Sequence, residues 1–234
     1  MPAPRPAGSR ILKIDTRSRK VNKAWLNDHV NDPYVKQARK DGYRARAAYK
    51  LQEIDAALGL IKPGQLVVDL GSAPGAWSQY LRRTFAPKTA GAGGAASGHL
   101  AGRIIALDLL DFEPIDGVEF IQGDFRDPHV LDRLVQSLNG RRVDVVVSDM
   151  APNLSGIEAA DAARMADLVE LAVDFSLHHL QPAGALVCKV FHGSGHSQLV
   201  ELFKRSFRVV KPIKPKASRA RSAETFLVGI GLKL

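Results

Sequence analysis

The sequence predicts an α/β fold: a mostly parallel seven-stranded sheet with an antiparallel last strand and helices on both faces. Segments of strand and helix character alternate along the chain from about residue 66. Apolar runs such as VDVVVSD (143–149) lack period-2 alternation, which is typical of parallel strands buried on both faces. At 234 residues and 45% hydrophobic composition, the chain can bury one substantial core.

The elements are predicted in chain order as follows. Residues 1–20 predict a flexible basic arm, and residues 21–234 predict a single domain. Short helical pieces interrupted at Asn31-Asp32-Pro33 precede the helical stretch Tyr43–Leu58, which Lys62-Pro63-Gly64 ends. Strands are predicted at Leu66–Leu70, Ile104–Asp108, Glu119–Gln122, Asp144–Ser148, Ala185–Val190, Phe207–Lys211 and Thr225–Leu232. Helices are predicted at Ala76–Phe85, His129–Leu138, Asp161–Leu180 and Ser197–Ser206. The Gly/Ala/Ser-rich residues 86–102 predict a flexible surface insertion.

Charge and composition narrow the function classes. Residues 1–50 hold 13 Lys/Arg against 4 Asp/Glu, a net +9, whereas residues 51–234 hold 20 of each sign. Such a basic segment favours a polyanion, and nucleic acid over lipid because no basic amphipathic helix accompanies it; a solvated tail is the alternative. The single cysteine, Cys188, excludes a disulfide framework and a multi-cysteine zinc site, and no metal is expected. No run reaches a membrane span, and no apolar signal segment follows the N-terminus. The cytoplasm is therefore favoured, although composition alone leaves an organellar transit peptide open.

The stretch LVVDLGSAPGAWSQYL (66–81) is typical of a nucleotide-binding strand–turn–helix unit, yet it carries neither G-x-G-x-x-G nor a phosphate-binding lysine. Gly71 and Gly75 are expected to let the backbone approach a ligand. Asp108, ending the second strand, can accept hydrogen bonds from ribose hydroxyls, and Asp124, after the third, from an adenine amino group. Acidic strand ends would repel a pyrophosphate but suit S-adenosylmethionine, an adenosine with a positive centre. A nicotinamide-binding unit with an imperfect fingerprint is the alternative.

Lys189 is unusual because it lies near the end of an apolar central strand, where burial is costly unless a partner meets it. Asp149 ends the preceding strand at the same rim. Glu224 lies just before the last strand, which we interpret as antiparallel and adjacent to the fifth, so it reaches that rim too. Lys50, on the helix before the first strand, can complete the group. A lysine extending from the strand end into solvent, and ordinary surface charges at Lys50 and Glu224, are the alternatives. Cys188 points to the opposite face and is expected in the core, which argues against cysteine-dependent methylation.

The chain resembles the FtsJ-type ribosomal RNA 2′-O-methyltransferase family from about Ser18 to the C-terminus. The motifs that carry the resemblance are RARAAYKLQEI, VVDLGSAPGAWSQYL, GDFRD, SDMAPNLSG, VCKVFHG and SRARSAETFLV. The resemblance implies a Rossmann-like S-adenosylmethionine-dependent methyltransferase fold. It also implies a Lys50–Asp149–Lys189–Glu224 tetrad with Lys189 as general base, and cofactor contacts from Gly75, Trp77, Asp108, Asp124 and Asp149. Ala76 replaces a glycine common in the family, and the 86–102 insertion is longer than usual.

These patterns predict an enzyme that methylates a ribose 2′-hydroxyl, of a uridine, in large-subunit ribosomal RNA. The partner would be this RNA within the ribosomal subunit, bound by a monomer without membrane contact. The basic arm and Lys211–Arg221 are expected to bind phosphates, with Arg219 and Arg221 close to the tetrad; a solvated turn is the alternative for these two. Tyr43 and Tyr49 are candidates to stack a base, and packing within its helix is the alternative for Tyr49. A transfer-RNA or cap 2′-O-methyltransferase remains an alternative, as does a catalytically silent RNA-binding assembly factor on the same fold.

Overall fold

The structure, a computed structural model, describes residues 31–87 and 100–233, so the predicted arm and most of the 86–102 insertion lie outside the described residues. Helices and strands alternate as predicted. The helices are α1 (Pro33–Lys40), α2 (Ala47–Leu58), α3 (Ala76–Thr84), α4 (Pro128–Ser137), α5 (Glu158–His179) and α6 (His196–Ser206). The strands are β1 (Leu66–Leu70), β2 (Arg103–Asp108), β3 (Val118–Gln122), β4 (Val143–Ser148), β5 (Leu180–Phe191), β6 (Phe207–Ile213) and β7 (Glu224–Leu232).

The strands form one seven-stranded sheet in the order β3-β2-β1-β4-β5-β7-β6, which confirms the predicted architecture. Strands β1 to β5 pair in parallel, whereas β7 lies between β5 and β6 and runs antiparallel to both. The β5–β7 register places Phe191 opposite Glu224 and Lys189 opposite Phe226. The first residue of β7 therefore lies at the carboxyl end of β5, as the sequence predicted.

Two apolar cores cover the two faces of the sheet. Alternate residues of each central strand enter opposite cores, because side chains on a strand alternate between faces. Leu66, Val68 and Leu70 of β1 pack with α4, α5 and α6, whereas Val67 packs with α2 and α3. On β5 the same alternation sends Cys188 into the first core, where it is 2% exposed, and puts Lys189 on the α2 side. This core position of Cys188 agrees with the prediction.

The N-terminal described segment begins with a capped helix. The Asp32 side chain accepts hydrogen bonds from the backbone N–H groups of Tyr34 and Val35, and Pro33 occupies the first helical turn. Helix α2 begins at Ala47, four residues later than the predicted helical stretch. It ends at Leu58 and is capped by Gly59 in the left-handed conformation. The predicted interruption at 31–33 is thus a helix start.

Strand β5 begins at Leu180 rather than at the predicted Ala185, and α5 covers 158–179 rather than 161–180. The strand extends backwards because Leu180 pairs with Val143 across a register shift in the β4–β5 ladder. Pro182 and Gly184 within this stretch obscured its strand character in the sequence. Among the residues that the structure describes, no helix has both the length and the apolarity needed to cross a membrane.

Candidate active site

A cavity of about 660 Å³ opens at the carboxyl edge of the sheet, where β1, β2 and β4 end. Strand order reverses between β1 and β4, and such switch points are where open α/β sheets bind ligands. The volume falls in the range of small-molecule sites. Gly71, Asp108, Asp124 and Asp149 all line this cavity, so the structure brings these four predicted residues together.

Asp108 connects the two loops that form one wall of the cavity. Its Oδ2 accepts a hydrogen bond from Ala73 N at 2.8 Å, and its Oδ1 accepts one from Leu110 N at 2.8 Å. Each carboxylate oxygen retains a further lone pair. The side chain can therefore accept hydrogen bonds from the hydroxyls of a ribose while it holds both loops.

Asp124 lies across the cavity and is paired within its own turn. Arg126 donates to it from Nε at 3.0 Å and from a terminal nitrogen at 2.7 Å. The hydrogen bonds from Arg126 lower the pKa of Asp124 below its usual value, against the effect of burial. Binding of an adenine amino group at this carboxylate, as the sequence predicts, would require Arg126 to move aside.

Gly71 and Gly75 are needed mainly for the packing of the protein itself. Both have positive φ angles, of 74° and 96°. A Cβ on Gly71 would come within 2.8 Å of the Met150 backbone, and one on Gly75 within 2.9 Å of Arg44 and Ile115. Gly71 also lines the cavity, whereas Gly75 is absent from the described lining. The packing of the protein therefore already requires glycine at both positions, independently of any ligand.

The side chain of Trp77 lies in the α2–α3 core rather than in the cavity. It is 2% exposed, packs against Phe226 and donates from Nε1 to Ala47 O at 2.7 Å. Sequence reasoning placed Trp77 among the cofactor contacts through the family resemblance. In this arrangement only its backbone, in the first turn of α3, is available for such a contact.

The charge of the cavity fits the predicted cofactor better than a dinucleotide. Four carboxylates line it: Asp108, Asp124, Asp149 and Asp167. Its two guanidinium groups are neutralised locally, Arg126 by Asp124 and Arg164 by Asp161. A pyrophosphate would meet paired cations and unfavourable negative charge, whereas a sulfonium and an ammonium would be attracted. The carboxylates that line the cavity therefore fit S-adenosylmethionine.

Beside this cavity, the four predicted tetrad residues come together. Lys189 Nζ lies 3.1 Å from Asp149 Oδ1 and donates to the Asp149 carbonyl oxygen. Lys50 Nζ lies 2.7 Å from Glu224 Oε2 and 4.0 Å from Asp149 Oδ1. The chain thus alternates cation and anion in one continuous cluster, with Asp149 shared between the cavity and the tetrad.

The tetrad is largely withdrawn from solvent. The side chains of Lys189 and Lys50 are 9% and 13% exposed, so the ion pairs act with little screening. Burial alone would raise the pKa of Glu224, but Lys50, a hydrogen bond from Ser218 and the charge of Lys189 together lower it. Glu224 is consequently held as a carboxylate. The interpretation of these residues as ordinary surface charges does not hold.

Sequence reasoning missed Ser218, and it counted Asp69 among the acidic strand ends around the pocket rather than as a buried group. Ser218 donates from Oγ to Glu224 Oε1 at 2.7 Å, and nothing in its local sequence marks it. Asp69 is fully buried at the end of β1 beneath the cavity. Burial and the nearby charges of Asp149 and Asp108 raise its pKa to about 7, despite a hydrogen bond from Ser78. Its apolar strand context was the available signal, because a buried acid requires partners.

Comparison of the sequence with known families and proteins agrees with this geometry. The family model described as FtsJ-like methyltransferase matches residues 43–232, which is most of the chain. The chain belongs to this family. Its membership confirms the predicted enzyme class, methyltransferase, and S-adenosylmethionine as the cofactor.

The FtsJ-like methyltransferase described here is similar to curated proteins over nearly its whole length. It is 78% identical over 222 residues to the Ribosomal RNA large subunit methyltransferase E of Methylibium petroleiphilum, covering 95% of this chain and 99% of that protein. It is 71% identical to the protein of the same name from Leptothrix cholodnii, covering 95% and 96%.

Solved structures share the fold of this FtsJ-like methyltransferase. A ribosomal RNA methyltransferase from Plasmodium falciparum superposes with a TM-score of 0.69 at 27% identity, over 81% of this chain and 98% of that one. Aeropyrum pernix fibrillarin, solved with natively bound S-adenosyl-L-methionine, gives a TM-score of 0.53 at 14% identity, over 81% and 76%. The predicted Rossmann-like methyltransferase fold is thereby confirmed.

Proposed function

We propose that this chain methylates the 2′-hydroxyl of a ribose, in a uridine of large-subunit ribosomal RNA, with Lys189 as general base. The observation that carries the proposal is the buried amine of Lys189, 3.1 Å from Asp149 Oδ1 at the rim of the cavity. The similarity to proteins named Ribosomal RNA large subunit methyltransferase E, at up to 78% identity, supports ribosomal RNA as the substrate.

The cofactor would be held by the cavity carboxylates, defined as Asp108, Asp124 and Asp149. When bound, S-adenosylmethionine supplies a methyl group made electrophilic by its sulfonium. Asp108 keeps the loop at Ala73 and the turn at Leu110 in fixed positions while it accepts from the ribose. The amide groups of the first turn of α3 lie at the edge of the same loop.

The chemistry that the chain itself performs is proton transfer. A ribose hydroxyl is a weak nucleophile until its proton is removed or shared. In the proposed step this proton passes to Lys189 Nζ as the oxygen gains the methyl group. Asp149, whose Oδ1 lies 3.1 Å from Lys189 Nζ, would stabilise the ammonium that forms. Glu224 holds Lys50 in place through its 2.7 Å ion pair.

Substrate RNA would be bound by exposed basic residues near this rim. Lys211, Lys216 and Arg221 are exposed on and after β6, close in sequence to Glu224. Phosphate contacts of this kind make RNA affinity fall steeply with salt. Arg219 contributes less than the sequence led us to expect, because its Nε lies 3.6 Å from Asp32. Tyr49 is buried and donates to Asp41, which leaves Tyr43 as the candidate for stacking on a base.

We also propose that the protein acts in the cytoplasm as a monomer, on ribosomal RNA already assembled into the large subunit. The bacterial origin of the two curated relatives described above supports this location. Light scattering of the purified protein would give its mass, and co-sedimentation with isolated subunits would test the association. A stable dimer would contradict the monomer, and equal methylation of free RNA would contradict the preference for the assembled subunit.

The test of the function is methyl transfer from radiolabelled S-adenosylmethionine to large subunits purified from a strain lacking the gene. Free large-subunit RNA, transfer RNA and capped RNA serve as parallel substrates. We expect label in the large subunit only, at one nucleotide that resists alkaline cleavage on its 3′ side, the mark of a 2′-O-methyl group. Label in transfer RNA or cap would favour the alternative enzymes. Cofactor binding without transfer to any RNA would favour the silent assembly factor.

A further inference from the structure

Both carboxylate oxygens of Glu224 are engaged by defined partners. Oε2 receives the Lys50 ammonium at 2.7 Å, and Oε1 receives the hydroxyl of Ser218 at 2.7 Å. A carboxylate held by two donors at such distances has a defined plane and cannot rotate freely. The position of Lys50 relative to Asp149 and Lys189 therefore depends on Ser218 as well as on Glu224.

Ser218 is carried by the connection between β6 and β7, a loop with no strand or helix of its own. The loop is nevertheless tightly fixed at this point. Ser218 N donates to Pro215 O at 2.9 Å, which closes a turn. Ala217 is fully buried in a small cluster with Ala38 and Tyr49. These contacts fix the backbone of Ser218, and its hydroxyl donates to Glu224 from there.

Two side chains of the α2 region hold the Ala217 residue from both sides. Glu53 accepts hydrogen bonds from Ala217 N at 3.2 Å and from Lys216 N, and Arg46 donates to Ala217 O. Arg46 in turn is paired with Asp32. Burial and the adjacent charge of Arg219 lower the pKa of Arg46. Charged groups with such partners are expensive to displace once buried, so the clamp is rigid.

Glu53 lies one helical turn after Lys50, so the two side chains emerge on the same face of α2. One of them reaches Glu224 directly, and the other reaches it through the turn at 216–218. A single helix thus sets both partners of the Glu224 carboxylate. Tyr34 OH, which donates to Glu53 at 3.0 Å, keeps the carboxylate of Glu53 aligned.

We propose that Ser218 is a positioning residue for Glu224, and that Glu53 is a positioning residue that acts through Ser218. Neither side chain contacts the cofactor cavity. Their role is to hold the Glu224–Lys50 pair where it orients Lys189 and Asp149. The inference rests on the proposed function, because it assigns these residues to the same proton-transfer site.

The first test replaces Ser218 by Ala. Loss of a hydrogen bond to a charged group is expected to lower kcat about tenfold or more. The KM for RNA and the Kd for S-adenosylmethionine should stay within about twofold of wild type, because the Ser218 side chain is buried and does not line the cavity. Ser218→Thr keeps the hydroxyl and is expected to recover most of the rate. Ser206→Ala is the matched control: it is also 6% exposed and also loses one hydrogen bond, to Leu202 O, but far from the tetrad.

The second test replaces Glu53 by Gln. Glu53 accepts hydrogen bonds through both carboxylate oxygens, whereas the Gln amide has only one acceptor oxygen. We expect a fall in kcat similar to that of Ser218→Ala. The double variant should be no slower than Ser218→Ala alone, because both substitutions disturb one connection. Asp55→Asn is the control on the same helix: Asp55 likewise accepts from a backbone N–H, that of Ile61, and from a tyrosine hydroxyl, that of Tyr80. It should lose stability without a matching loss of kcat.

Particular outcomes would overturn the inference. A Ser218→Ala enzyme with wild-type kcat, no recovery in Ser218→Thr, or equal losses in Ser206→Ala and Asp55→Asn would each contradict positioning. Additive losses in the double variant would contradict the path from Glu53 through Ser218. Failure of the proposed function would give a different result, namely an active Lys189→Met variant. An inactive Lys189→Met with a fully active Ser218→Ala would overturn the positioning role alone.

Discussion

The cavity carboxylates and the tetrad face the same edge of the sheet, but the chain holds them in different ways. Asp108 and Asp124 receive hydrogen bonds from groups only two residues further along, in Leu110 and Arg126. The tetrad instead joins distant segments: Lys50 and Glu224 are 174 residues apart. The first region is held largely by turns at strand ends, with one hydrogen bond from Ala73 N to Asp108 between neighbouring strand ends. The second exists only once the whole sheet has its register.

This difference teaches which property each region controls. Locally held carboxylates can present acceptors to a ligand even when distant packing changes slightly. The tetrad is sensitive to any displacement of α2 or β7, because both supply its charges. We therefore expect substitutions in the first region to act mainly on cofactor affinity and those in the second mainly on turnover. Asp149 alone belongs to both.

The largest expected effect is that of Lys189→Met. If this substitution altered cofactor binding rather than turnover, the division of roles between cavity and tetrad would be contradicted. Methionine fills a similar volume without an amine, so kcat should fall by about 10² to 10⁴, the usual contribution of a general base. The Kd for S-adenosylmethionine, measured by calorimetry, should change little. Lys204→Met is the control, since the Lys204 side chain is 57% exposed and forms an ion pair with Glu201. Turnover close to wild type in Lys189→Met would contradict its role.

The converse substitution is Asp108→Ala, in the cavity. It removes the acceptor for a ribose and releases the loops at Ala73 and Leu110. We expect the Kd for S-adenosylmethionine to rise about 10- to 100-fold, in line with lost hydrogen bonds to a charged group. At saturating cofactor, single-turnover methyl transfer should stay within a few-fold of wild type. A large loss of the chemical step with unchanged Kd would show that the two regions are not separable.

The same contrast explains what could be predicted from the sequence. The strand ends carrying Asp108 and Asp124 follow clear apolar runs, so their convergence was predictable from parallel topology alone. Lys189 and Glu224 could be placed together only by also inferring the antiparallel last strand, and the resemblance to a known family specified their roles. Ser218 was not predictable, because its contact with Glu224 depends on how the 214–222 connection folds onto α2.

The side-chain direction of Trp77 was a further feature beyond the sequence. Family resemblance identifies the position but does not distinguish a backbone contact from an indole contact. The indole enters the core because the α3 face that carries Trp77 and Leu81 packs against α2 and the sheet. Helix α3 therefore presents to the cavity only the loop that precedes it.

Asp69 sharpens the comparison because it lies beneath both regions, close to Asp108 and Asp149. The pKa of Asp69 is about 7 in the folded protein, whereas in the unfolded chain the carboxyl has its ordinary pKa of 3.8. The folded state thus binds more protons in this window, so the free energy of unfolding should fall as pH rises. Asp69→Asn, which mimics the protonated acid, should remove this decline, which is about 1.6 kcal/mol between pH 5.5 and 7 because Asp69 is itself half ionised at pH 7.

Denaturant unfolding of both proteins at these two pH values measures the effect. The variant should gain stability relative to wild type as the pH increases. Asp144→Asn provides a control at a second strand aspartate, which is partly buried and accepts a hydrogen bond from Leu66 N. Parallel pH slopes in wild type and Asp69→Asn would show that Asp69 is already ionised in the folded protein. The ionised carboxylate would then add to the negative charge of the cavity.

The smallest expected effect is that of Trp77→Phe, which separates a core residue from a cofactor contact. Phenylalanine keeps most of the packing against Phe226 but loses the 2.7 Å hydrogen bond to Ala47 O. The free energy of unfolding should fall by about 1 kcal/mol, the usual net value of one hydrogen bond. The Kd for S-adenosylmethionine should stay within about twofold of wild type, unlike that of Asp108→Ala. A fivefold rise in Kd without loss of stability would mean that the indole itself reaches the cofactor, and that α3 contributes a side chain to the cavity after all.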